Sequence, residues 1–520
     1  MIISYPQMLK ERAHIHPQRP AYIFEGNTFS YKTYWSQAEA AAACLVSLGL
    51  KKGDRIGILD LNNSSVINLI TGAFIAGIIP VSFNWRSLPA DIDYMAQDAG
   101  IEHLFYGQPF RSLIKASAYC ENIATYEMDH LSSALEQISF VPAFEPCGDD
   151  NPSLILYTSG TAGNPKGVML SYKNLYTCYY LCASDTPGFV PDARNLVCGP
   201  LYSIFGLGAF ISCIYAGATN VLIRMFEPAF VLKIMVAEKV SNALLVPVMM
   251  RLMFMVEGAD LMDFSSLTHI QYGGSPMQPE LLAMAKKIFN CHFTQVYGLT
   301  ETAGVASALR FDDHLQILSS IKKSREGIST LILSAGKPGL GVSVKIMDEN
   351  KKELSANSPG EVWIKGDNVS LGYWNQQKLN EDVFDSEGWM HTGDIGYMDD
   401  DGFLFLVDRL NDKMVVKGIN IFPAEIEKVI EKYSAFREVA VVGIPDDKSG
   451  EAICVMAVAK ENYETSLEEL QQWCTGKMPH HKIPKHLHYV TELPRNQTGK
   501  VLRRILREPF WQHETRKIKG

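Results

Sequence analysis

The densest concentration of phosphate-binding chemistry in the sequence is Tyr157-Thr158-Ser159-Gly160-Thr161-Ala162-Gly163-Asn164-Pro165-Lys166-Gly167-Val168. Residues 158–167 hold three hydroxyls, three glycines and one lysine, and they follow an apolar run that reads as a buried strand. Glycines let backbone N–H groups converge on an anion, hydroxyls add donors and the lysine adds charge, so the segment suits a phosphate cradle. The spacing is not G-x-x-x-x-G-K-S/T, which excludes an ordinary P-loop. The bland alternative is a polar surface loop. Two other patterns carry less. Gly336-Lys337-Pro338-Gly339-Leu340-Gly341 lacks the G-x-G-x-x-G order and a following helix. His480, His481, His486 and His488 cluster without cysteine or an H-E-x-x-H frame, so no metal is expected there.

These residues need a scaffold, and composition bounds it. A chain of 520 residues suggests about three to five domain-sized units. Hydrophobic residues at 47% and charged residues at 20% are ordinary for a packed protein, while Gly 39 and Pro 25 exclude collagen-like and low-complexity classes. Lys+Arg 48 against Asp+Glu 57 gives a net charge of −9, a balance that gains nothing from a polyanionic nucleic acid. The ten cysteines form no C-x-x-C pair, and the nearest two, Cys178 and Cys182, lack a second pair, so reduced core thiols are expected. The N-terminus has no apolar core of signal-peptide length, and a cytoplasmic location is the expectation.

Short β-rich runs at 55–59, 154–157, 220–223 and 243–246 alternate with helical periodicity at 34–48, 65–76 and 279–287. This alternation predicts βαβ units and mostly parallel sheets covered by helices. No charge lies between Arg194 and Arg224, but Pro200, Gly206, Gly208, Gly217, Thr219 and Asn220 interrupt the stretch. Its apolar runs fall short of the roughly 20 residues a bilayer needs, so it predicts a buried helix, a turn at 216–219 and a buried strand at 220–223. From about Gly336, alternating polarity at 342–347 and 361–365 predicts a smaller antiparallel β unit. Beyond Asp408, strands at 439–443 and 452–459 and helices at 424–433 and 467–475 predict a separate α+β domain. From Arg495 onward there are eight Lys/Arg and two Glu, a basic tail suited to an anionic partner or to a solvated helix face.

The loop 158–168 resembles the phosphate-loop signature of the acyl-adenylate-forming, AMP-binding superfamily, and specifically its acyl-CoA synthetase branch. Five more signatures follow in the family's order. Tyr272-Gly273-Gly274-Ser275-Pro276-Met277 resembles the adenine loop. Gln295-Val296-Tyr297-Gly298-Leu299-Thr300-Glu301 resembles the aromatic-Gly-x-Thr-Glu motif. Gly388-Trp389-Met390-His391-Thr392-Gly393-Asp394 resembles the ribose-binding aspartate motif. Asp408-Arg409-Leu410-Asn411 with Lys417-Gly418 and 423–427 resembles the inter-domain hinge. Leu493-Pro494-Arg495-Asn496-Gln497-Thr498-Gly499-Lys500 resembles the catalytic-lysine loop.

The resemblance implies a large N-terminal α/β domain, 1–408, of stacked mostly parallel sheets, with a β-barrel-like subdomain at about 336–408. A small, mobile α+β C-terminal domain, 409–520, follows. It implies an ATP-dependent ligase that converts a carboxylic acid to acyl-AMP with release of pyrophosphate and then transfers the acyl group to coenzyme A. Nucleophile and target are both anionic, and two unit charges at 4 Å repel by about 4 kcal/mol at an effective dielectric near 20. Such a site needs positioned cations and donors more than a general base. By the resemblance, Lys500 bridges carboxylate and α-phosphate, Thr300 donates to the α-phosphate, and Glu301 binds Mg²⁺ as a hard ligand. Thr158, Ser159, Gly160, Thr161, Gly163 and Lys166 hold the β- and γ-phosphates. Gly273, Gly274, Ser275, Tyr297 and Gly298 surround the adenine, and Asp394 with Arg409 takes the ribose. Tyr202, Ser203, Phe205, Gly206 and Tyr272 are assigned to the acyl pocket. Asn411, Lys417 and Gly418 are assigned to the hinge and the coenzyme A tunnel, with Arg503, Arg504 and Arg507 as candidate partners for its phosphates.

The sequence also departs from the family pattern. Ala162 replaces a second threonine in the phosphate loop. Asn411 stands where relatives carry Asp or Lys, and Ser203 where many ligases carry histidine. No aspartate near 200–206 is placed to pair an amino-acid ammonium, so amino-acid activation is not expected. An apolar acid, a fatty acid first, is the expected substrate. Met249, Met250, Met253 and Met255 either line an adaptable channel or are plain core. The alternatives are a ligase loading a carrier-protein phosphopantetheine, an aryl-CoA ligase, and a non-catalytic nucleotide-binding homologue. Oligomeric state, monomer or homodimer, is not legible.

Overall fold

The structure, a computed structural model, describes residues 3–128, 148–158, 164–185, 190–323, 330–409, 412, 414–416, 419–446, 449–460, 465–495 and 501–511. The chain divides into two compact units, Met1–Ser343 with Ile364–Met390, and Val344–Trp363 with His391–Gly520.

The first unit is built on two sheets. One has the strand order Ala124–Glu127, His103–Tyr106, Arg55–Leu59, Ile79–Ser82, Pro152–Thr158, Lys166–Ser171. It is parallel up to Pro152–Thr158 and closes on an antiparallel pair. The other runs Asn27–Ser30, Pro20–Phe24, Thr219–Leu222, Arg194–Val197, Asn242–Leu245, His269–Gly273, His292–Tyr297, Ser307–Leu309, Ser334–Pro338. It is parallel from Pro20–Phe24 to His292–Tyr297 and antiparallel at both ends. Ile79–Ser82 and Thr219–Leu222 are buried at every residue. Helices cover both faces of such strands, and their sequences therefore show apolar runs instead of alternation.

Local chemistry sets the helix ends. The Asn63 side chain accepts from Val66 N–H to open Ser64–Ala76, and the Ser30 hydroxyl accepts from Thr33 N–H to open Tyr31–Ser47. Helices from the two sheets share one core. Tyr172 donates to Phe74 O at 2.9 Å, and the Tyr5 ring meets Phe74 edge-on at 5.9 Å. Tyr5, Tyr34 and Thr71 join their hydroxyls across the same core.

The uncharged stretch forms helix Ile204–Ala216, a left-handed cap at Gly217 and strand Thr219–Leu222. Protein surrounds residues 206–216, all of them buried, and among the described residues no helix is long and apolar enough to cross a membrane. The methionines divide. Met249, Met250 and Met253 are core, but helix Pro247–Phe254 ends before Met255, which is 76% exposed. None of the nine described cysteines is in a disulfide, and all are buried.

In the second unit, Ser343–Met347, Gly360–Lys365, Met390–Met398 and Leu404–Arg409 lie side by side in that order. Further along, Phe436–Asp446 and Gly450–Ala459 form an antiparallel hairpin joined by His486–Tyr489. Period-2 alternation separates its faces. Val439, Val441, Ile453 and Val455 pack under Ile426, Ile430 and Leu470, from Pro423–Ile430 and Leu467–Cys474. Ala440, Val442, Cys454 and Met456 pack under Leu506 of helix Arg503–Trp511.

That last helix carries three arginines of the basic tail, and two of them are engaged within the unit. Arg503 donates to Glu427 through Nη2 at 2.6 Å and Nε at 3.2 Å, and to Asp412 through Nη1 at 3.0 Å. The Glu427 Oε1 atom also accepts from Val441 N–H at 2.7 Å. Arg507 lies over the Trp511 ring and 4.0 Å from Glu451. Ion pairing explains these two charges without a coenzyme A phosphate, and of the three candidate arginines only Arg504 is exposed.

Two outcomes are expected from this packing. The three side chains of the Arg503 triad are at most 19% exposed, so Arg503→Ala removes the cation from two largely covered carboxylates. It should cost about 3–5 kcal/mol, read as a lowered midpoint in urea, whereas Arg504→Ala should be silent. In the first unit, His269 bonds Thr294 Oγ1 at 3.0 Å, and His314 donates from Nδ1 to Arg310 O at 2.9 Å and accepts at Nε2 from Tyr272 OH at 2.8 Å. Burial pushes His269 down to about 3 and His314 down to about 4 from the ordinary 6.5. Their folded pKa values are depressed, so stability is complete above pH 6.5 and declines as the pH falls toward 4 and then 3. Each histidine contributes about 1.4 kcal/mol per pH unit within its window. Denaturation series from pH 7.5 to 4.5 should show this slope, and His314→Gln should make it shallower.

Candidate active site

The phosphate-loop candidate is held at its base by a β-ladder. Thr158, the last residue of Pro152–Thr158, pairs with Lys166, the first of Lys166–Ser171. Ser159, Gly160, Thr161, Ala162 and Gly163 lie outside the described residues. Tyr157 donates to Asp98 Oδ2 at 2.5 Å, and burial and this carboxylate push its phenol pKa well up. Asp98 belongs to helix Pro89–Ala99, so the incoming strand is tied to a helix behind the loop.

The outgoing strand is held by the segment 367–375. Met169 N–H donates to Gly372 O at 2.9 Å, Leu371 N–H to Met169 O at 3.0 Å, and Trp374 N–H to Gly167 O at 2.8 Å. The same segment reaches Asp98 O through Trp374 Nε1 at 3.1 Å and Asn375 Nδ2 at 2.7 Å. At its start, the Asn174 amide donates to the carbonyls of Asp367 and Val369.

The adenine-loop and Thr-Glu candidates follow the carboxyl ends of neighbouring parallel strands. His269–Gly273 pairs with His292–Tyr297, with Gly273 opposite Val296. Loops outside such strand ends are where open α/β sheets place ligands. Gly274 is exposed, while Ser275, Tyr297 and Gly298 are half-buried. A Cβ on Gly298 would stand 2.3 Å from Gly304 O, so only glycine fits beneath the turn that follows. Thr300 and Glu301 lie in the single turn Thr300–Thr302, fixed by Leu299 N–H donating to Thr302 Oγ1 at 2.9 Å.

One tyrosine joins these motifs. Tyr373 OH donates to Glu301 Oε1 at 2.8 Å, the Lys166 ammonium stands 5.3 Å from the centre of the Tyr373 ring, and Ser370 N–H donates to Glu301 O at 2.8 Å. The sequence reading missed Tyr373. Its surroundings, Ser370-Leu371-Gly372-Tyr373-Trp374, contain no charge and no spacing that signals a site. A bridge between Val168 and Tyr373 is what brings it there. Glu301 presents a half-buried carboxylate of which Oε2 has no protein partner among the described residues. A hard oxygen donor of this kind fits a Mg²⁺ ion.

The acyl-pocket candidates form a tight entry to helix Ile204–Ala216. The Ser203 hydroxyl donates to Pro200 O at 2.9 Å, and a Cβ on Gly206 would meet the same oxygen at 2.3 Å. Ile204 abuts the turn after Glu301, since a Cβ on Gly304 would lie 3.2 Å from its Cγ1. Tyr202 is buried and Phe205 half-buried. Tyr272 is wholly buried, and its hydroxyl is on His314.

In the second unit, Asp394 is 5% exposed and stands opposite Arg409 in the Met390–Met398 and Leu404–Arg409 ladder. Glu361, also missed in the sequence, organises this turn. Its Oε1 accepts from Gly393 N–H at 3.1 Å and its Oε2 from Trp363 Nε1 at 2.9 Å, while the Trp363 ring stacks on His391 at 3.7 Å. Its sequence signal is the alternating Glu361-Val362-Trp363 pattern, with polar residues on one face of the strand. Asn411, Lys417, Gly418 and Lys500 lie outside the described residues.

Comparison with known proteins agrees with the six motifs. The chain is 31% identical over 516 residues to a fatty acid–acyl-carrier-protein ligase of Streptomyces coeruleorubidus, covering 96% of this chain and 95% of that one. It is 32% identical over 511 residues to a long-chain-fatty-acid–CoA ligase of Mycobacterium tuberculosis, covering 97% and 98%. Among solved structures, the O-succinylbenzoate coenzyme A synthetase of Bacillus subtilis, in complex with ATP and magnesium ion, superposes with a TM-score of 0.84. It is 28% identical, over 95% of this chain and 98% of that one. The sequence pattern of AMP-binding enzymes matches residues 9–374 and that of their C-terminal domain residues 425–500. The chain belongs to the AMP-binding enzyme family.

Proposed function

We propose that the protein is an ATP-dependent, AMP-forming acid–thiol ligase, an acyl-CoA synthetase acting in the cytoplasm on an apolar carboxylic acid, with a fatty acid as the preferred class. The observation that carries this reading is that Lys166 and Glu301, a cation and a hard anion, both meet the side chain of Tyr373 in an AMP-binding chain.

In the first half-reaction the carboxylate oxygen of the acid attacks the α-phosphorus of ATP. An O–P bond forms, the bond to the β-phosphate oxygen breaks, and pyrophosphate leaves with the electron pair. Lys166, with Thr158 and the 159–163 loop, is assigned to the β- and γ-phosphates, and Thr300 to the α-phosphate. Asp394 and Arg409 are assigned to the ribose, and Gly273, Gly274, Ser275, Tyr297 and Gly298 to the adenine. Glu301 is the residue that would hold Mg²⁺, an ion that supplies charge neutralisation on the phosphates. Lys500 is assigned to the charge that develops between carboxylate and α-phosphate. In the second half-reaction a thiol sulfur attacks the acyl carbon, the bond to AMP breaks, and the thiol proton leaves to solvent. Coenzyme A is the proposed thiol, reaching the site past Gly418 after residues 409–520 pivot at Asn411.

The fatty-acid preference is supported by the apolar, uncharged acyl-pocket motif at 200–206 and the uncharged helix Ile204–Ala216 that follows it. A carrier-protein phosphopantetheine is a second acceptor to test, since one relative is named for that acceptor.

Two measurements decide the reading. Pyrophosphate release across aliphatic chain lengths and aryl acids should peak with an aliphatic acid. Release with no acid in the panel would leave only a nucleotide-binding protein. Lys500→Ala should slow adenylation by roughly 10²–10³-fold, the scale of one preorganised electrostatic group. It should leave thioester formation from supplied acyl-AMP nearly intact, and an equal loss in both half-reactions would count against the pivot.

A further inference from the structure

A phosphate-binding lysine and a metal-binding glutamate in one site face an electrostatic hazard. Placed in contact they form an ion pair, and each then neutralises the group the ligand needs. Among the described residues Lys166 and Glu301 form no ion pair, and what stands between them is the side chain of Tyr373. The two ends of that side chain do different jobs. Its hydroxyl donates to Glu301 Oε1 at 2.8 Å, which aims the carboxylate without adding a positive charge. Its ring face receives the Lys166 ammonium at 5.3 Å, which steadies the lysine without an opposing negative charge.

The backbone fixes the tyrosine for this purpose. The Gly372 carbonyl accepts from Met169 N–H and Trp374 N–H donates to Gly167 O, so bonds to the outgoing phosphate-loop strand flank it, and the Tyr373 N–H itself donates to Asn380 Oδ1 at 2.7 Å. Three residues before Tyr373, Ser370 N–H donates to the backbone carbonyl of Glu301. The segment thus grips the lysine-bearing strand and the glutamate-bearing turn at once.

We propose that Tyr373 is a positioning residue that keeps the Lys166 cation and the Glu301 carboxylate adjacent yet unpaired, making one competent to hold phosphate and the other to hold Mg²⁺. This rests on the ligase reading given above.

The two ends of the side chain can be separated by substitution in the full-length protein. ATP affinity is measured by calorimetry with Mg²⁺ and with EDTA, and the Mg²⁺ requirement of pyrophosphate release is titrated. Tyr373→Phe, which keeps the ring, should raise the half-maximal Mg²⁺ concentration roughly ten-fold. Its affinity for ATP in EDTA should stay within about two-fold of wild type. Tyr373→Leu should weaken ATP in EDTA as well, by about two- to five-fold. In a Glu301→Gln background, Tyr373→Phe should change the Mg²⁺ requirement no further. The proposal is overturned if Tyr373→Phe leaves the Mg²⁺ requirement unchanged, or keeps its full effect beside Glu301→Gln. It is equally overturned if Tyr373→Phe degrades melting temperature, ATP affinity and Mg²⁺ requirement together, the signature of a merely structural residue. Wild-type protein whose ATP affinity is indifferent to Mg²⁺ would instead bring down the ligase reading itself.

Discussion

In the proposed ligase Lys166 and Glu301 must both face a ligand, and opposite charges so placed cannot be allowed to satisfy each other. A lysine and a carboxylate at 4 Å attract by about 4 kcal/mol at an effective dielectric near 20. A phosphate and a metal ion would have to overcome that attraction on binding. Tyr373 meets the constraint with a neutral side chain that touches both partners. The stretch from Asn174 through the 367–375 segment to Asp98 is ordinary backbone and amide hydrogen bonding whose product is the placement of one ring.

The rest of the first unit supplies stiffness and direction. Parallel strands covered on both faces leave their carboxyl ends free, and Gly273 and Tyr297 close two adjacent strands there. Thr158 closes a strand of the other sheet. The helices between the sheets share aromatic and hydroxyl contacts, among them Tyr5, Tyr34, Phe74 and Tyr172, so loops borne by different sheets rest on one core. Close approach then narrows the choice of residue at single positions, as with Gly298 beneath the Gly304 carbonyl. The second unit repeats this economy with one carboxylate, Glu361, setting the turn that leads to Asp394.

Much of this was legible in the chain. Strand 55–59 and helices 65–76 and 279–287 were readable to within a residue or two, because burial on two faces produces apolar runs and burial on one face produces helical period. The uncharged stretch at 194–224 read correctly as helix, turn and strand, since glycine and proline punctuate it. Met255 escaped its neighbours because the end of a helix, and not its composition, decides which residues turn inward. The basic tail shows a related point. Charge along a sequence does not say where its partners are, and Arg503 finds Asp412 and Glu427 from distant segments.

By itself the sequence determined the chemistry available: a glycine- and hydroxyl-rich loop with a lysine, a Thr-Glu motif, an aspartate motif, and six motifs in the order of one family. Those are local facts, since each motif acts through residues a few positions apart. Only the tertiary structure decided which of these groups meet, because side chains 72 residues apart, as in Tyr373 and Glu301, are brought together by strand registry and turn geometry. Nothing in either segment encodes that meeting alone. It follows from burying both segments against the same strands.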